Sequence, residues 1–217
     1  MNYKYKFEKY QTKYKLLGGA NFGYVEKLKE LYPKSYSDMN VVDYSKYSDH
    51  HVTYGEIEYH GIEKLYNELK HNNFDSFLDI GSGRGKLCFF MAQYPNIKNS
   101  VGIELVKERH EVALKLRDQL SMYPVLSKVK LIHNDAFKEV FSDYVSGKTL
   151  VWISNLCMGN EITQKFFDKF ANELSKGSII CCSTRIESRN KNIDYKMNLI
   201  IPMSWKELSD VYVYEII

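Results

Sequence analysis

Asp79-Ile80-Gly81-Ser82-Gly83-Arg84-Gly85-Lys86 is the stretch whose reading decides the fold. The apolar run Phe77-Leu78-Asp79-Ile80 reads as a short strand, and Leu87 to Gln93 reads as the helix that follows the glycines. Glycines between a strand and a helix permit a tight turn and let backbone N–H groups approach a ligand. The spacing is G-x-G-x-G rather than the G-x-G-x-x-G of dinucleotide binders, and Asp79 stands two residues before Gly81. An anionic side chain at that point would repel a pyrophosphate.

Asp79 suits a cationic ligand instead, such as the amino group and sulfonium of S-adenosylmethionine (SAM). The residues around it strengthen this. Val101-Gly102-Ile103-Glu104 reads as strand two and places Glu104 about 20 residues past the loop, where a carboxylate grips ribose hydroxyls. Asp135 follows a third strand, Val129 to Ile132, where it can accept from an adenine amino group. Three carboxylates at the ends of successive strands form a pattern, because open α/β sheets bind ligands along that edge. Taken singly, Asp135 also reads as a helix cap and Glu104 as a solvated charge.

Further along, strand and helix signals keep alternating. Leu116 and Leu120 mark an amphipathic helix, Leu150 to Ser154 a fourth strand, Phe166 to Leu174 a helix, and Ser178 to Ser183 a fifth strand. Leu199-Ile200-Ile201 and Val211 to Ile217 are β-rich with no long helix between them. The expectation is an α/β fold over residues 74–217, a doubly wound parallel sheet with an antiparallel carboxyl-terminal edge. Before it, Val25, Leu28 and Leu31, then Ile62, Leu65, Tyr66 and Leu69, predict a small helical cap over 21–73. Residues 1–20 form a Tyr/Lys-rich leader ending at Gly18-Gly19, similar in composition to the amino termini of giant DNA virus proteins.

The 30 basic and 27 acidic residues leave a net charge of +3, too small for a purely electrostatic nucleic-acid binder. No apolar run is long enough for a membrane span and no signal peptide opens the chain, so a cytoplasmic or nuclear setting is expected. Cys88, Cys157, Cys181 and Cys182 lack paired metal-site spacing and read as buried thiols, with no metal expected. The 18 tyrosines are unusual and ask for an explanation.

"FLDIGSGRGK", "VGIEL" and "NDAF" resemble motifs I, II and III of the class I SAM-dependent methyltransferases. The resemblance implies a Rossmann-like seven-stranded sheet, SAM as cofactor, and contacts to it from Asp79, Gly81, Ser82, Gly83, Gly85, Lys86, Glu104, Asp135 and Ala136. After strand four the chain reads Ser154-Asn155-Leu156-Cys157-Met158-Gly159, without the prolines of an N-P-P-[YF] segment that holds a planar base. Nor does the apolar setting of Cys157 favour a nucleophilic thiolate, so base methylation is disfavoured.

Three segments resemble Dot1-like histone-lysine methyltransferases instead. Thr53-Tyr54-Gly55-Glu56 is similar to that family's V-Y-G-E loop, which folds over the methionine end of the cofactor and implies Tyr54 and Glu56 as cofactor contacts. "VWISNLCMGNEITQKFF" is similar to its V-N-N-F-A-F-G-x-E segment, and Ser204-Trp205 with Tyr212 to its S-W motif and following tyrosine. The resemblance implies methyl transfer to a protein lysine, a histone among the candidates, with Asn155, Ser154 and Tyr212 at the catalytic centre, Asn155 also touching the cofactor, and Leu156, Met158 and Trp205 beside them. Ser154 replaces the first Asn of the family's pair, Ala136 an aromatic, and Lys86 a Gln. An RNA or small-molecule methyltransferase, a silent SAM-binding module and a nicotinamide-dependent dehydrogenase are the other readings. Basic residues of the leader and of the 185–196 loop (Arg185, Arg189, Lys191, Lys196) offer contact with an acidic protein surface or with nucleic acid. These motifs fix no oligomeric state.

Overall fold

A computed structural model of the protein describes residues 23–32, 47 and 55–217. Residues 1–22, 33–46 and 48–54 lie outside the described residues, and with them the leader, Thr53 and Tyr54. Helix α1 spans 23–31 and α2 Tyr59–Leu69. Then come β1 (Ser76–Ile80), α3 (Lys86–Ala92), β2 (Asn99–Glu104), α4 (Lys107–Gln119), β3 (Val129–His133), β4 (Thr149–Ile153), α5 (Gly159–Glu173), β5 (Ile179–Cys182), β6 (Ile193–Met203) and β7 (Lys206–Ile216). The seven strands lie in the order β3-β2-β1-β4-β5-β7-β6. Strands β1 to β5 pair in parallel, and β7 inserts antiparallel between β5 and β6.

Strand composition explains this order. β1 and β4 are buried along their whole length and occupy the centre, whereas β3 and β6 carry exposed residues and lie at the edges. Alternate side chains feed opposite faces. Phe77, Leu150, Trp152, Ile179 and Cys181 meet α1, α2 and α3 on one face, while Leu78, Ile80, Val151, Ile153 and Ile180 meet α5 on the other. The hairpin of β6 and β7 supplies the antiparallel edge expected from the sequence, with β7 beginning earlier than the Val211 onset read there. Cys88, Cys181 and Cys182 are buried as expected, but Cys157 is only half-buried because it sits in the loop after β4 rather than in a strand.

Several tyrosines tie helices α1 and α2 to each other and to the sheet with its loops. Tyr24 donates to Phe89 O at 2.8 Å, Tyr32 to Arg84 O at 2.5 Å, Tyr59 to Leu28 O at 2.7 Å and Tyr123 to Gly23 O at 3.1 Å. A buried ring with a polar tip can fill a core and still satisfy a backbone carbonyl, which a phenylalanine there could not do. Part of the tyrosine excess is thereby accounted for.

Candidate active site

The glycine loop is folded back onto β2. Gly81 N and Ser82 N donate to Ile103 O at 2.9 and 3.1 Å, and Gly85 N donates to Ser82 O at 2.8 Å. Gly81, Gly83 and Gly85 have φ of 79°, 55° and 79°, a region that side chains disfavour, so the three glycines are what lets the turn close.

Asp79 lies beneath this loop at 3% exposure, with Cys88 Sγ 3.9 Å from its Oδ2. Burial, and then the neighbouring Glu104 carboxylate, push its carboxyl up to about 8. A buried acid in that state takes its charge most readily when a cation is placed beside it. Glu104 is equally buried and is built into the loop: its Oε2 accepts from Gly83 N at 2.6 Å and its Oε1 from Val106 N at 2.8 Å. Burial raises the Glu104 carboxyl, and the bonds from Val106 and Gly83 with the charge of Arg109 oppose that rise. Asp135 caps a 3-10 turn at Ala136–Lys138, accepting from Phe137 N at 3.0 Å, while Ala136 is buried behind it. The cap and an adenine contact are compatible, because a carboxylate offers about four acceptor positions.

Glu56 approaches the loop from the cap side. Its Oε1 accepts from Arg84 Nε at 3.1 Å and Nη2 at 2.8 Å, and its Oε2 from Lys86 Nζ at 3.2 Å. All three side chains are almost fully buried. The Lys86 ammonium lies 4.6 Å from the centroid of the Tyr59 ring and the Arg84 guanidinium 5.3 Å from that of Tyr32. The cluster contains two sequence-predicted residues, Glu56 and Lys86, and three that sequence reasoning missed, Arg84, Tyr32 and Tyr59. Arg84 occupies a variable position between loop glycines, and Tyr32 lies in a segment with no motif.

On the acceptor side, Ser154 and Asn155 follow β4, while Tyr212 lies on β7 opposite Cys182. The Asn155 side chain behaves like a backbone amide: Oδ1 accepts from Thr184 N at 2.7 Å, and Nδ2 donates to Thr184 O at 3.1 Å and to Thr163 Oγ1 at 3.4 Å. It stitches the loop after β4 to the segment after β5 and spends both of its amide hydrogens there. Thr184, its partner, carried no sequence signal. Asn155→Ala is expected to lower the unfolding free energy by about 1–2 kcal/mol, the cost of leaving the part-buried Thr184 N–H unpaired while the Thr184 carbonyl keeps Cys182 Sγ at 3.3 Å. Urea denaturation measures this, and a midpoint equal to the parent's would show the pairing to be idle.

Leu156 and Trp205 are exposed and Met158 and Tyr212 half-buried, so Leu156 and Trp205 are surface residues rather than core. The expected 185–196 loop is shorter, because β6 begins at Ile193 and carries Lys196, and the basic residues Arg185, Arg189 and Lys196 are engaged within the protein. Arg189 binds Glu161 at 2.7 Å, Lys196 binds Glu215 at 2.9 Å, and Arg185 lies 4.7 Å from the Tyr195 ring centroid. Nucleic acid approaching this loop would compete with those contacts.

A seven-stranded sheet with a reversed edge pair, and a glycine loop and carboxylates along one edge, are the architecture of the class I SAM-dependent methyltransferase fold. Residues 33–209 match the family described as histone methylation protein DOT1, which is most of the chain, and the protein belongs to that family. Two curated relatives are the H3 lysine-79 specific histone-lysine N-methyltransferases of Drosophila melanogaster, 24% identical over 148 residues, and Caenorhabditis elegans, 25% identical over 153 residues. These matches cover 63% and 66% of this chain but only 8% and 16% of the relatives' lengths. The fold is also that of an RNA methyltransferase from Salinibacter ruber solved with S-adenosyl-L-homocysteine, at 16% identity and a TM-score of 0.52, covering 73% of this chain and 92% of that one. Among the described residues, no helix is long and apolar enough to cross a membrane, and no group of three His, Cys, Asp or Glu is placed to hold a metal ion.

Proposed function

We propose that the protein transfers a methyl group from SAM to the side-chain amine of a protein lysine, with a histone as the acceptor. The observation that carries the cofactor half is Asp79: a carboxyl only 3% exposed at the carboxyl edge of β1, with the buried Glu104 carboxylate beside it. It fits a cationic ligand, and Glu104 and Asp135 stand along the same edge for the nucleoside part. SAM, when bound, supplies an activated methyl group. Asp79 would hold its amino group, and Glu104 its ribose while continuing to brace Gly83.

Family membership and the two histone-lysine methyltransferase relatives support the acceptor half. Leu156, Met158, Trp205 and Tyr212 would form an apolar channel at the ends of β4 and β7. Such a channel strips water from a lysine and disfavours its charged form, giving the neutral amine that attacks. The Ser154 hydroxyl or the remaining lone pair of Asn155 Oδ1 would orient that amine. No covalent nucleophile is needed, because transfer is an in-line displacement that depends on alignment. A histone acceptor would place this work on chromatin.

The test uses labelled SAM with core histones, RNA and a metabolite pool in parallel. Label is expected on histone lysine and is expected to be lost in folded Asp79→Ala and Glu104→Ala variants. Transfer to RNA or a metabolite alone would overturn the acceptor reading.

A further inference from the structure

Gly55 and Trp205 are 150 positions apart in numbering and in contact in space. A Cβ built on Gly55 would lie 2.4 Å from both Cε3 and Cζ3 of the Trp205 indole, a distance that real Cβ atoms do not reach. Nothing flexible absorbs that overlap, because the obstacle is the body of a rigid ring. The ring's own backbone is held too. Ser204 N donates to Glu56 O at 2.8 Å and Glu56 N to Ser204 Oγ at 3.0 Å. Glu58 N donates to Pro202 O at 3.1 Å, and Ile57 bridges Met203. Residues 56–58 therefore run as a short extra rung along the turn of the β6–β7 hairpin. The Glu56 carboxylate fastens the same segment to Arg84 and Lys86 of the glycine loop. A continuous set of contacts thus leads from the cofactor loop, through Glu56 and Gly55, to an indole that is 42% exposed.

We propose that Gly55 is a positioning residue for the acceptor side of the site: its missing side chain is the seat of the Trp205 indole, and it registers that indole against the cofactor loop. The proposal rests on the reading of Trp205 as a wall of the acceptor channel. Gly55 touches neither acceptor nor reacting atoms and acts through the ring. Any side chain at position 55 forces the indole out of its seat, while the hydrogen bonds of Glu56 and Ser204 hold the backbone in place.

Gly55→Ala and Trp205→Ala, alone and combined, test this in the full chain. Of the two tryptophans, Trp152 is buried at 5% exposure, so quenching of fluorescence by iodide reports Trp205. Gly55→Ala is expected to raise the quenching constant and to raise KM for core histones by about tenfold, as misplacement of a substrate contact does. Its KM for SAM should stay within about twofold, since uniform loss of stability would not separate the two substrates. In the Trp205→Ala background, Gly55→Ala should have no further effect, because the partner it displaces is gone. Unchanged quenching in Gly55→Ala, or an undiminished effect of the substitution without the indole, would overturn the proposal. The quenching arm depends only on the position of the ring, so it decides the seating even where histones are not the acceptor.

Discussion

Glu56→Ala is expected to lower the unfolding free energy by about 3–5 kcal/mol, the range for removing one partner from a buried ion pair. The carboxylate is the counter-ion of both Arg84 and Lys86, and its side chain and theirs are each 7% exposed or less. Removing it leaves two buried cations beside the glycine loop without that anion, and their desolvation cost is no longer offset. The loss should exceed that of an exposed pair such as Arg189 with Glu161, where both side chains are about 70% exposed and solvent screens the attraction. Urea denaturation of the two variants side by side gives the comparison. Equal, small losses would mean that the Glu56 cluster is as well solvated as a surface pair. Since Glu56 also links Ser204 to the loop, the weakened variant should lose SAM affinity as well as stability.

The second large effect belongs to Asp79. Asp79→Asn is expected to weaken SAM binding by at least about a hundredfold, the scale of losing a buried charge opposite a bound cation. Its pH dependence follows from the raised carboxyl. Without cofactor, Asp79 titrates near 8 in the folded protein against an ordinary value of 3.8, so the folded state binds the additional proton between those values. The stability this contributes is fully present below the ordinary value and is lost as pH rises through about 8. A cationic ligand prefers the ionised form, so binding must expel that proton, and SAM affinity should rise by up to about tenfold per pH unit until the carboxyl is ionised. Calorimetry between pH 6 and 8.5 measures both the affinity and the proton released. Asp79→Asn should remove the proton release and the decline of apo stability with pH. Flat affinity across this range in the parent protein would show that Asp79 is already charged before SAM arrives.

Much of the fold was legible because its signals are local. Phe77 to Ile80 and Val101 to Ile103 are short apolar runs bounded by turn residues, and Phe166, Phe167 and Phe170 recur at helical spacing, so strand and helix follow from periodicity alone. The antiparallel edge was legible because too few residues separate the last two β-rich runs for a crossover helix. The order β5-β7-β6 was not, since which edge a hairpin joins depends on packing across the sheet.

At the site, sequence identified residues by type and place, and the structure assigned their partners. Asn155 stood out after β4, but only folding brings Thr184 within 2.7 Å and occupies its amide. Lys86 stood out as a departure, but its pairing with Glu56 spans 30 positions of sequence.

The sequence by itself determined the parallel sheet, the glycine loop, and the three carboxylates on its ligand edge. These rest on local backbone preference and on the rule that successive strands of a wound sheet end on one side. Only the tertiary structure decided that Asp79 is buried with its carboxyl pushed up, that Arg84, Glu56 and Lys86 share one buried cluster, and that Gly55 lies against Trp205. Burial and charge pairing are properties of what surrounds a residue, and those surroundings are assembled from segments far apart in the chain.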